Sequence, residues 1–95
     1  MTTQQNSQVI RADADGDVVY DKAEGLIFVK AFEWSGSGKT VGDQLILTDG
    51  SGNEVWRPSV GVDSETNERT FNVPLAIPGL ILQAIPAGVL LVYKE

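Results

Sequence analysis

Apolar residues along this chain fall in short runs, each closed by a cluster of Gly, Asp, Asn or Ser. That punctuation marks strands and turns. Nowhere do apolar residues recur at spacings of three and four with a cap before and a glycine after, as an amphipathic helix requires. The pattern predicts a short strand around 8–11, a turn at "ADADGD" and a second strand at "VVY". The longest run, "LIFVKAFEW" (Leu26 to Trp34), is apolar on both faces for much of its length and predicts a central strand. "SGSGK" then turns the chain into "DQLILT", where Leu45 and Leu47 share one face and Gln44, Ile46 and Thr48 the other. "DGSGN" turns it again into "EVWRPSV", and "DSETNER" (63–69) reads as a charged loop. "TFNVPLAI", "LILQAI" and "GVLLVY" complete the set, divided by Pro78-Gly79 and by Pro86 with Gly88. Seven or eight short strands at this spacing predict an all-β fold: a single-domain antiparallel β-sandwich, jelly-roll-like, or a small barrel. The domain is expected over 8–95, behind a polar and flexible N-terminal arm at 1–7.

Composition narrows what such a domain does. With 95 residues, 42% hydrophobic and 21% charged, the chain fits one globular core and lies far from the disordered class. It has no cysteine and no histidine, which removes disulfides, thiolate and imidazole metal sites, and Ser-His-Asp or Cys-His catalysis together. Thirteen acids against seven scattered bases give a net charge of −6, so neither nucleic acid nor an anionic membrane is an expected partner. The opening "MTTQQNSQ" has neither the basic nor the apolar region of a secretion signal.

Four features invite a chemical reading. "WSGSGKT" (34–40) supplies the second half of a phosphate-binding loop, but Glu33 stands where the first glycine belongs and a strand, not a helix, follows. It reads as a hairpin turn. In "DADGDVVYDKAE", Asp13, Asp15, Asp17, Asp21 and Glu24 occupy positions 1, 3, 5, 9 and 12 of a calcium loop, while Val18 stands where the sharp-turn glycine is needed. They are calcium candidates, with a solvated Asx-rich turn as the plainer reading. Residues 70–93 carry no charged side chain, yet Pro78, Gly79, Pro86 and Gly88 break any membrane-spanning helix and punctuate core strands instead. Some of that apolar surface is expected at subunit contacts.

The aromatics are the fourth feature. Trp34, Trp56 and Tyr93 are interface candidates, with core packing as the commoner fate of such residues. On an exposed face, coplanar aromatics would instead stack on sugar rings. Acid pairs such as Glu33 with Asp43 are of the type that supports glycoside hydrolysis, but no cleft is expected around them, so no catalytic residue and no cofactor is expected.

Three segments carry a resemblance: "GDQLILTDGSGNEVW" (42–56), "VPLAIPGLILQAI" (73–85) and "PAGVLLVYKE" (86–95). In this order they resemble the small all-β accessory proteins encoded among the structural genes of tailed bacteriophages. The resemblance covers about two-thirds of the chain and leaves "DADGDVVYDKAEG" unmatched. It implies a non-enzymatic virion component, a cement (decoration) protein on the capsid exterior whose partner is the major capsid protein. It also implies a homo-oligomer, taken as a trimer on a three-fold axis. The alternative from another class is a carbohydrate-binding β-sandwich module of a tail fibre or secreted enzyme.

Overall fold

A computed structural model describes Thr3–Gln5 and residues 9–95. Nine strands are present among the described residues: β1 (Thr3–Gln5), β2 (Val9–Ala12), β3 (Asp17–Tyr20), β4 (Leu26–Ser35), β5 (Ile46–Thr48), β6 (Glu54–Trp56), β7 (Asn67–Pro78), β8 (Leu80–Ala84) and β9 (Val89–Lys94). A short 3-10 turn at Lys22–Glu24, capped by the Asp21 carboxylate on the Ala23 amide, links β3 to β4. The strands form two antiparallel sheets, ordered β1-β2-β9-β4-β7 and β3-β8-β5-β6. The sheets pack as a sandwich and do not close into a barrel, the other fold that the strand spacing allows.

The pairing has a simple logic. β5 pairs β6, β4 pairs β7, β3 pairs β8 and β2 pairs β9, so four nested pairs roll up around one core. This is jelly-roll topology. The core follows from alternation: Ile27, Val29, Phe32 and Trp34 of β4 point inward with Leu90 and Val92 of β9 and Ile10 and Ala12 of β2. Leu80 and Leu82 of β8, Leu47 of β5 and Trp56 of β6 meet them from the second sheet. Phe32 bridges the layers. Its ring stacks on Trp56 at 5.4 Å between centroids and meets the edge of Phe71 at 5.7 Å.

Several expectations change. Asn67 to Arg69, read as loop, begin β7, because a polar stretch at a sheet edge carries no alternation to betray it. Thr3–Gln5 of the expected arm form a strand on β2; the rest of that arm lies outside the described residues. Thr48 is buried although alternation puts it on the face opposite Leu47, because the ladder shifts register between these two residues. The "SGSGK" segment is not a hairpin turn, since β4 and β5 lie in different sheets; it starts the crossing between layers. The apolar window 75–93 is shared among β7, β8 and β9.

Candidate functional site

β4 joins two contrasting ends of the sandwich. At its second end, Trp34 and the turn after Ser35 are clamped by the β8–β9 loop. The indole Nε1 donates to the Ala87 carbonyl at 2.8 Å. Gly88 adopts φ 78°, and a Cβ there would run into the Ser35 carbonyl; one on Gly36 would come within 2.9 Å of the Gly88 Cα. Only glycine permits this approach.

Lys39, the lysine of the apparent phosphate loop, is enclosed by the same end and only 1% exposed. Its Nζ donates to the Trp34 carbonyl at 2.8 Å, to the Glu65 carbonyl and to Asn67 Oδ1 at 3.0 Å, and lies 4.0 Å from the Trp34 ring centroid. Burial lowers the Lys39 pKa, partly opposed by the charge of Glu65. With its donors directed at protein oxygens, Lys39 Nζ is turned into the loop and does not face a phosphate. Sequence reading missed it because Glu65 and Asn67 lie 26 and 28 residues away.

The acidic segment is likewise dispersed. Asp13 pairs with Arg11 at 3.3 Å, and Asp15 accepts from the Ile85 amide at 2.7 Å. Asp17 is buried and accepts from the Ala14 amide at 3.2 Å, Asp21 caps the 3-10 turn, and Glu24 is exposed. Each of the four aspartates serves a local turn or anchor. Among the described residues no three carboxylates converge on a common point. Asp43 accepts from the amide and hydroxyl of Thr40, whereas Glu33 sits on β4 opposite Glu68, so the structure gives this pair separate roles.

The first end of β4 is apolar and open. Leu26 and Phe28 are 50% and 49% exposed at outward positions, opposite Pro78 and Ala76 of β7. Val73 adds an exposed apolar side chain in the irregular stretch of β7, whereas Leu75, paired with the inward-facing Val29, lies on the other face of the sheet. Beside Leu26 and Phe28 lies a cavity of about 340 Å³, lined also by Tyr20, Ile27, Lys94 and Glu95. β7 carries a wide irregularity here: Leu75 faces Val29 and Thr70 faces Ala31, so residues 71–74 stand opposite Lys30 alone. That bulge and Pro74 prevent another strand from adding to the edge, leaving side chains to make any contact.

Of the three interface candidates, Trp34 and Trp56 belong to the core, at 0% and 9% exposure. They form no exposed platform for a sugar ring. Tyr93 is half-buried on the outer face of β9, between Val9 and Ala31, the same face as Leu26 and Phe28. Burial raises its phenol pKa above the usual 10, with Glu33 and Glu68 adding to the shift. The exposed strip itself was hidden in the sequence: β4 reads as apolar on both faces, the pattern of a strand covered on both sides. No known protein family, curated protein or solved structure matches the chain.

Proposed function

We propose that this chain is a non-enzymatic virion protein of a tailed bacteriophage, a capsid cement protein that stabilises the head by bridging capsid subunits. The observation that carries the reading is the outward strip of Leu26, Phe28, Ala76 and Pro78, with Val73 exposed beyond it on β7. A sheet face turned to water ordinarily carries polar residues at outward positions, and a contiguous apolar area marks a surface that another protein covers. The occupant in this reading is the major capsid protein. The ordered segments 42–56, 73–85 and 86–95, with their resemblance to phage accessory proteins, supply the class of partner.

The energetics suit a lattice role. Fully burying a large apolar side chain contributes about 1.5–3 kcal/mol, so covering the exposed half of Leu26 and of Phe28 and most of Val73 yields only a few kcal/mol per copy before the cost of association. Many copies on one shell turn that modest contact into firm attachment, and each copy favours the closed shell over its parts by mass action. The acidic chain, at −6, also suits the outer face of a head better than its DNA-filled interior. A symmetric oligomer, a trimer on the three-fold axes, belongs to this proposal.

The test is the composition of purified virions of the phage that encodes the chain. Quantitative mass spectrometry should find it in copy numbers comparable to the major capsid protein. Its absence from the particle would overturn the reading.

A further inference from the structure

The chain contains no cysteine, so no disulfide ties its strands together. At the end of the sandwich away from the apolar strip, however, a buried amine is held against a side-chain amide. Lys39 Nζ lies 3.0 Å from Asn67 Oδ1. Two further acceptors, the carbonyls of Trp34 and Glu65, and the face of the Trp34 ring hold Nζ in place. The Asn67 amide is oriented from its other side, where Nδ2 donates to the Ser59 carbonyl at 3.2 Å. Its oxygen is thus turned toward the amine and its nitrogen away.

We propose that Lys39 and Asn67 form an intramolecular isopeptide bond, the Lys39 nitrogen displacing the side-chain nitrogen of Asn67. In this step the Lys39 Nζ–Asn67 Cγ bond forms and the Asn67 Cγ–Nδ2 bond breaks. Two protons leave Nζ and both pass to the departing nitrogen, so that a lysine ammonium plus a carboxamide become a secondary amide plus an ammonium ion. Atoms and charge balance without a metal, an oxidant or any other reagent.

Three features favour the reaction over an inert lysine lock. Fixing nucleophile and carbonyl at contact distance replaces a bimolecular encounter with a preset geometry. The Nδ2 hydrogen bond to the Ser59 carbonyl fixes the Asn67 carboxamide with its acyl oxygen turned toward Nζ, so the group does not rotate away from the amine. Burial lowers the Lys39 pKa and so enlarges the neutral, nucleophilic fraction, the usual route to a reactive lysine. Asn67 itself is only half-buried, which leaves the released ammonia a path to solvent. The product fastens the β4–β5 connection to the first residue of β7 and closes a span of 28 residues. Such a link restrains the unfolded chain as a disulfide does.

The mass of the intact, denatured protein, after incubation to constant mass, decides the matter. The full chain should be lighter than its sequence by one ammonia, and tryptic digestion should yield a branched peptide joining the segments that carry Lys39 and Asn67. Lys39→Met and Asn67→Ala should each restore the full mass, and Asn67→Asp should instead lose one water. The wild-type spectrum suffices by itself should a variant fail to fold. A full sequence mass overturns the proposal, as does a loss of ammonia that maps to another asparagine and reverses in mild base, the mark of a succinimide.

Discussion

Phe32→Ala tests the packing at its tightest point. The ring is 1% exposed, stacks on Trp56 across the layers and meets Phe71 within its own sheet. Removing a buried Phe to Ala costs about 3–5 kcal/mol through lost transfer energy and the cavity left behind. The two ring contacts, worth about 0.5–1.5 kcal/mol each beyond area, place this site in the upper half of that range. Phe32→Leu keeps most of the volume and loses mainly the ring geometry, so its expected cost is about 1–2 kcal/mol. Urea unfolding followed by tryptophan emission reads both, because Trp34 and Trp56 are buried reporters. The midpoint should fall in the order wild type, Leu, Ala, with an unchanged slope. A loss below about 1.5 kcal/mol for Ala, or equal losses for both variants, would refute Phe32 as the bridge between sheets.

Three other outcomes are expected. Gly88→Ala should destabilise by about 2 kcal/mol or more in the same assay, since φ 78° disfavours a side chain and the new Cβ meets the Ser35 carbonyl; Ala87→Gly, which keeps the carbonyl that receives the Trp34 indole, should cost less. Asp49 accepts from the amides of Ser51 and Asn53 and from Asn53 Nδ2, which holds its carboxyl below the ordinary 3.8. Its stabilisation is therefore complete above pH about 4 and lost as pH falls through its folded value, so Asp49→Asn should lower the melting temperature at pH 7 and shrink the gap to wild type in strong acid. The Tyr93 phenol should titrate above 10 by tyrosinate absorbance, and Glu33→Gln with Glu68→Gln should bring it part of the way back.

Much of the architecture was legible because burial follows composition. The Val, Ile and Leu runs became strands and Gly88 a bend between two of them, while Pro78 stayed inside β7 and Gly79 alone, at positive φ, passes the chain to β8 in the other sheet. What sequence concealed depends on partners distant along the chain. Lys39 looked like a phosphate-loop lysine because its local neighbours are glycines, and only the return of residues 65 and 67 to its side explains its burial. The acids from Asp13 to Glu24 had calcium-loop spacing, but a 3-10 turn and a strand carry their side chains to separate anchors. Leu26 and Phe28 looked like core because nothing in a run of consecutive apolar residues shows that one face lacks a covering layer.

The most direct measurement of the central claim is binding of purified protein to phage heads that lack it, compared with a Leu26→Asp, Phe28→Asp variant. Both substitutions fall at half-exposed positions, so the variant should keep the wild-type melting temperature to within a few degrees. The account predicts that wild type binds in many copies and raises the temperature at which the heads rupture, while the variant does neither. A variant that binds and protects as well as wild type would contradict it, as would wild type that fails to bind.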